Sequence, residues 1–392
     1  MEGTNHASQW SGEELSVDYV NLEKLNARPS RLGFGCMRFP TTPDGRIDEP
    51  RAAALLDRAY RAGVNYFDTA YFYHDHTSEE FVGRALKAYP RESFYLATKL
   101  PISFIQSLDE AKRIFEGQLE TIQVEYFDFY LLHALNAERW HFALESGILD
   151  FLLEEQQRGR IRRLGFSFHD SYEVFEEILT HRAWDFCQIQ FNYMDVDVQA
   201  GMKGYALAER LGVPVIVMEP VKGGSLATLS DELTAPLRRA RPDRSVASWA
   251  MRWVGSLPNC RIILSGMSDE AQVEDNLATF SPLEPLDEEE RRLIDALREQ
   301  IRARTFVGCT GCKYCMPCPF GVDIPGNFRM MNEFAQYSNE RRRLMRWQDM
   351  QEQERAVACR ACGKCETVCP QALPIRDRLA QIAAEMSAHT GE

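Results

Sequence analysis

The feature that most constrains this chain is a rhythm. Between Arg31 and Thr279, eight short apolar runs alternate with longer amphipathic stretches. The runs occupy residues 31–36, 65–69, 94–100, 127–133, 161–169, 186–192, 214–220 and 261–266. Each is rich in Val, Ile, Leu, Phe or Tyr, the composition of strands buried on both faces of a parallel sheet. The stretches between them, such as EPRAAALLDRAYRAG, SEEFVGRALKAYP and DEAQVEDNLATF, carry Leu, Ala and Phe at helical spacing. Gly63 and Gly212 fall where helices should stop. Eight strand–helix repeats in roughly 250 residues is the rhythm of an α/β (β/α)8 TIM barrel. The main rival is a doubly wound open sheet. Its dinucleotide fingerprint would have to follow the first run, where GFGCMRF lacks the third glycine.

The segment SPLEPLDEEERRLIDALREQIRART opens with prolines and becomes a charged helix, which reads as a domain boundary. The expected layout is a loose polar tail (1–18), the barrel (19–280), a connecting helix (281–304) and a small, mostly helical domain (305–392). A net charge of −13 argues against nucleic acid as a partner, because phosphate binding needs a basic surface. No apolar run approaches the roughly 20 residues that cross a bilayer, so no membrane partner is expected. The N-terminus has neither the basic nor the apolar region of a secretory signal, and the expected location is the cytoplasm.

In such a reducing compartment disulfides are rare, yet eight of the 11 cysteines lie in two tight runs after residue 308. Residues 359–370 read CRACGKCETVCP, the C-x2-C-x2-C-x3-C-P arrangement of cubane iron–sulfur ferredoxins. Residues 309–319 read CTGCKYCMPCP, the same pattern with a last gap of two. In two-cluster ferredoxins the cysteine before proline serves the other cluster. The inferred sets are therefore Cys309, Cys312, Cys315 and Cys369, and Cys359, Cys362, Cys365 and Cys318. A pair of structural zinc sites is the alternative, but eight cysteines with Cys-Pro endings favour a ferredoxin-like domain with two 4Fe–4S clusters. The shortened first run leaves the crossing pattern open. Cys36, Cys187 and Cys260 lie singly in or beside the apolar runs and read as small buried hydrophobes. RRRLMR (341–346) is a basic cluster, either a solvated helix face or a docking site for an acidic redox partner.

In a barrel, functional side chains sit at the C-terminal ends of strands. Asp68, Lys99 and His133 close three successive runs, and Tyr73 follows Asp68 by five residues. Singly these read as a helix cap, a core histidine or ordinary packing; together they form a constellation. From Tyr19 to Phe280 the chain resembles the aldo/keto reductase family. The resemblance is carried by FDTAYFY…SEEFVGRAL (67–86), LATK (96–99), FDFYLLH (127–133), GFS (165–167) and QIQFN (188–192). It implies a barrel, a nicotinamide cofactor and reversible carbonyl–alcohol interconversion on a small substrate, with Tyr73 as proton donor and Asp68, Lys99 and His133 around it.

Elementary chemistry supports those roles. Hydride arriving at a carbonyl carbon builds an alkoxide that needs a proton. A tyrosine at its ordinary pKa of about 10 is a poor acid near neutrality, and an ammonium such as Lys99 should lower it. Asp68 would orient Lys99, and His133 would donate a hydrogen bond to the carbonyl oxygen. The resemblance further implies nicotinamide contacts at Ser167 and Gln190. VKGGSL (221–226) offers backbone N–H groups to a pyrophosphate through Gly223 and Gly224, with Lys222 adding charge. In SGMSDEAQVEDN (265–276), Ser268 and Asn276 fit the adenosine side. The Lys and Arg that clamp a 2′-phosphate in many members fall on Gly266 and Gln272, so the cofactor is NADP or NAD, with weak discrimination expected. His74 and His76 read either as substrate contacts or as solvated loop residues.

The resulting expectation is a nicotinamide-dependent oxidoreductase whose clusters wire it to a redox partner protein. Two alternatives stand beside it: an electron-transfer protein whose barrel serves for docking or cofactor sensing, and a reductase with purely structural clusters.

Overall fold

The computed structural model describes residues 15–309, 311, 313–369 and 371–390. Its strands are β1 (Leu32–Gly35), β2 (Tyr66–Asp68), β3 (Tyr95–Leu100), β4 (Phe129–Leu135), β5 (Leu164–Phe168), β6 (Phe186–Gln190), β7 (Val215–Met218) and β8 (Cys260–Ser265). Each pairs in parallel with the next, and β8 returns to β1, closing the barrel. All eight apolar runs of the sequence become strands.

Side chains alternate across each strand. The inward set, including Tyr66, Ala97, Phe129, Leu131, Phe186, Ile216 and Ile262, fills the barrel as one buried cluster. Glycines mark where that filling is tightest: a Cβ at Gly165 would lie 2.6 Å from the Phe186 carbonyl oxygen. A short hairpin, bridged at Tyr19–Ser30 and Leu22–Ala27, adds Val20 and Leu22 to the same cluster. The Arg163 guanidinium holds that hairpin through the carbonyls of Leu25 and Asn26. Of residues 1–18, those from 15 on are described. Val17 is buried, and its N–H donates to the Ala62 carbonyl.

β4 departs from the sequence reading. It does not end at His133 but continues to Leu135, with a register shift between Leu132 and Leu135 and Ala134 at φ 52°. The Ala134 N–H donates to Ser167 Oγ at 2.7 Å, so a β5 side chain pins this bulge.

By its internal contacts the chain divides into two compact units. The first comprises residues up to 223 together with 247–287; the second comprises 224–246 and the chain from 288 onward. Residues 224–246 join the second unit because the amphipathic helix Asp231–Ala240 buries Leu233 and Leu237 and packs on the helix Glu288–Ala303. An Arg304–Glu232 pair at 2.8 Å ties the same elements. The helices Ile324–Tyr337, Glu340–Asp349 and Ile375–Thr390 enclose a separate core of Phe328, Met331, Trp347, Leu379 and Ile382. Among the described residues no helix is long and apolar enough to cross a membrane.

Candidate active site and cysteine cavities

Adjacent strands bring Asp68, Lys99 and His133 side by side. Lys99 is fully buried, a costly place for an ammonium unless every N–H finds an acceptor. It finds three: Asp68 Oδ1 at 2.6 Å, the Thr69 carbonyl at 2.7 Å and Tyr73 Oη at 3.4 Å. Burial works against the Lys99 charge, but Asp68 and Tyr73 outweigh it and hold its pKa above the ordinary value. Burial likewise raises the Asp68 carboxyl against the pull of Lys99. For Tyr73 burial is again the largest influence, and Lys99 only partly offsets it, so the phenol lies above its ordinary pKa. The lowering argued from an adjacent ammonium is therefore not reached; desolvation wins.

The His133 ring stacks on Phe72 at 4.6 Å and meets Tyr73 edge-on at 6.1 Å. Burial, then repulsion from Lys99, hold its pKa well below the ordinary histidine value. It is thus a neutral imidazole, with one donor and one acceptor nitrogen. Its Nδ1 is buried and lacks a hydrogen-bond partner, as does Asp68 Oδ2. His74 serves the fold instead: its Nε2 accepts from the Phe39 N–H at 3.2 Å, and its ring stacks on Phe39. His76 packs edge-on against Tyr71 and Phe104.

Gln190, assigned to the nicotinamide, and Lys222, assigned to the pyrophosphate, converge on a carboxylate that the sequence reading did not single out. Asp195, 4% exposed, accepts from Gln190 Nε2 at 2.9 Å and from Lys222 Nζ at 2.5 Å. Asn192 Nδ2 donates to the same carboxylate. Ser167 Oγ accepts from Ala134, which leaves its hydroxyl hydrogen for a further acceptor. Two positions along β6 from Gln190, Gln188 Oε1 is buried and unpartnered, an acceptor of the kind a carboxamide NH2 needs. Gly223 and Gly224 both have positive φ, and a Cβ at Gly224 would meet only open space. This set fits a nicotinamide dinucleotide.

On the adenosine side the donors are largely engaged. The Ser268 hydroxyl donates to the Arg38 carbonyl and its N–H to Gln272 Oε1, while Asn276 donates to Ser265 Oγ. Asp269 caps the helix Glu270–Thr279 by accepting the Gln272 N–H. Where the family's lysine would stand, the Arg38 side chain lies across Gly266, with Cγ 2.6 Å from the place a Cβ would take. Arg38 lay in plain view in GCMRF, but nothing in the spacing ties β1 to the loop after β8.

In the second unit the cysteines sort into two cavities. Cys309, Cys315 and Cys369 line one, beside Ile324, Phe328 and Leu373. Cys318, Cys359, Cys362 and Cys365 line the other, which Cys315 also borders. Cys312 lies outside the described residues. Left-handed turns at Ala361 and Gly363 wrap the second run around its cavity, and the Ala361 N–H donates to Cys359 Sγ at 3.4 Å. Among the described residues no three Cys, His, Asp or Glu side chains close on a single ion. A zinc ion needs its sulfurs at about 2.3 Å from one point.

Residues 31–299 match the model of the aldo/keto reductase family, and residues 308–373 match that of a 4Fe-4S dicluster domain. L-galactose dehydrogenase of Arabidopsis thaliana is 26% identical over 74% of this chain and 97% of its own length. The NADH-specific methylglyoxal reductase of Escherichia coli (strain K12) is 23% identical over 64% of this chain and 90% of its own. The holo form of aldo-keto reductase AKR11C1 from Bacillus halodurans superposes with a TM-score of 0.61 at 27% identity, covering 72% of this chain and 96% of that one.

Proposed function

The chain belongs to the aldo/keto reductase family and is an NAD(P)-dependent oxidoreductase, and from that premise we propose that it interconverts a small carbonyl compound and its alcohol. The observation that carries the proposal is Lys99, fully buried and bonded at once to Asp68 and Tyr73. Reduced nicotinamide, when bound, supplies hydride to the carbonyl carbon. Tyr73 gives its proton to the carbonyl oxygen. Its elevated pKa keeps that proton in place until negative charge develops, and Lys99 then stabilises the tyrosinate left behind. Asp68 balances Lys99 and fixes its direction. Neutral His133 offers one N–H to the same carbonyl oxygen without adding a positive charge beside Lys99. Ser167 and Gln190 would hold the carboxamide, and Lys222, Gly223 and Gly224 the pyrophosphate, with Asp195 orienting Gln190 and Lys222.

In the second unit we infer two 4Fe–4S clusters, one on Cys309, Cys312, Cys315 and Cys369, the other on Cys318, Cys359, Cys362 and Cys365. The grouping of the cysteines around two cavities, with Cys369 and Cys318 exchanged between the runs, supports this assignment. When bound, the clusters supply one-electron storage, and we infer that they connect the chain to a redox partner protein.

The test is a panel of aldehydes and ketones offered with NADH or NADPH to the parent and to Tyr73→Phe. Turnover should fall about 10²- to 10⁴-fold in the variant, with nucleotide dissociation constants unchanged. Equal turnover in both removes Tyr73 from the chemistry.

A further inference from the structure

Resting on the cluster reading above, the structure indicates where electrons leave the second unit. The basic cluster RRRLMR is the first place to look, but its arginines are largely committed. Arg343 is buried and bonded to Glu340 and Glu385. Arg342 and Arg346 both pair with Glu333.

The surroundings of Cys318, Cys359, Cys362 and Cys365 differ. Cys362 is itself exposed, so a group held by these four thiols lies at the surface. The same cavity is bordered by Tyr314, Phe320 and Val368, which are 68%, 44% and 49% exposed. Large apolar side chains left this open are informative when they gather at one place. Arg360 and Lys364 line the cavity too and are exposed, and neither has an ion-pair partner among the described residues. Arg376 lines the cavity as well, but its charge and that of Glu366 cancel in a pair at 2.8 Å, so the uncompensated cations of the rim are Arg360 and Lys364. A locally basic, apolar rim on a chain of net charge −13 selects its partner by charge.

We propose that this rim, with Arg360 and Lys364 beside Tyr314, Phe320 and Val368, is the docking surface for an acidic one-electron carrier protein. One electron passes from the reduced cluster to the oxidised carrier; no bond forms or breaks and no proton moves. The apolar side chains exclude water where the two redox groups approach, while the cations orient the carrier and speed its encounter.

The experiment uses the full-length, anaerobically purified protein and two oxidised probes of opposite charge, acidic cytochrome b5 and basic cytochrome c. Binding is measured by calorimetry at low salt, and electron transfer from the dithionite-reduced protein by stopped flow. The double variant R360E/K364E should weaken cytochrome b5 binding, and slow its reduction, by about tenfold or more. Cytochrome c should bind and react at least as well as with the parent. Opposite responses of the two probes cannot come from cluster loss or misfolding, which would impair both. Equal behaviour of parent and variant towards cytochrome b5, or a parallel loss with both probes, overturns the docking surface. A parent protein that dithionite does not bleach overturns the cluster reading itself, and the docking proposal with it.

Discussion

The pairing of Asp68 with Lys99 is the most consequential contact at the residue scale. A buried ion pair contributes little net stability, but removing one partner strands the other charge without water. Asp68→Ala should therefore cost about 3–5 kcal/mol of unfolding free energy, read by denaturant titration. A loss within that of an ordinary surface substitution would show that Lys99 does not depend on Asp68. Cofactor choice is decided by few side chains as well. With Gln272 uncharged and Arg38 lying over Gly266, NADPH should bind no more than about tenfold tighter than NADH, or roughly 1.4 kcal/mol. Arg38→Ala should weaken NADPH more than NADH in a fluorescence titration. A thousandfold preference that survives Arg38→Ala would place the phosphate contact elsewhere. Asp68, Lys99 and His133 were legible in the sequence because strand order brings strand ends together, and Tyr73, in the turn after β2, through its spacing from Asp68 within a motif that resembles the family's. Asp195 was not, because its partners Gln190, at the end of β6, and Lys222, in the turn after β7, reach it from separate segments and no periodicity encodes that meeting.

At the scale of elements, the helix Ser78–Leu86 locks β3 through a buried carboxyl. Glu79 accepts from Thr98 Oγ1 and from Gln118 Nε2, and Gln118 also bonds the Lys99 carbonyl at 3.0 Å. Burial pushes Glu79 up to about 7, against the pull of those bonds and of Lys99. Between its ordinary value near 4.5 and about 7, the folded chain holds a proton at Glu79 that the unfolded chain has released. Stability from this group is thus fully present at low pH and is lost as pH rises through that window. The loss amounts to about 3 kcal/mol. The gap in unfolding free energy between parent and Glu79→Gln should change by that amount between pH 4.5 and 8, with the parent losing ground as pH rises. A gap independent of pH would show that Glu79 is ionised throughout. Strand positions were readable from apolar runs alone. The β4 bulge was not, because Leu-His-Ala-Leu carries no turn residue and the pin comes from Ser167 on the next strand.

For the whole molecule, the barrel was written in eight apolar runs alternating with amphipathic stretches, and the cysteine domain in two motifs. The grouping of residues 224–246 with the second unit was illegible, since DELTAPLRRA is amphipathic whichever partner it packs on. We propose that one chain combines two-electron chemistry at Tyr73 with one-electron clusters on eight cysteines; oxidation of one reduced nicotinamide releases two electrons and a proton, which balances the reduction of two clusters by one electron each. Metal and sulfide analysis should give about eight irons per chain with matching acid-labile sulfide; two zincs and no sulfide would end the account there. The most direct measurement is the visible spectrum of the anaerobic protein as NADPH or NADH is added, before and after a carbonyl substrate. The broad cluster absorbance should bleach on nucleotide addition. Full carbonyl turnover with no bleaching at any nucleotide concentration would contradict this proposal, leaving the clusters as structural pins.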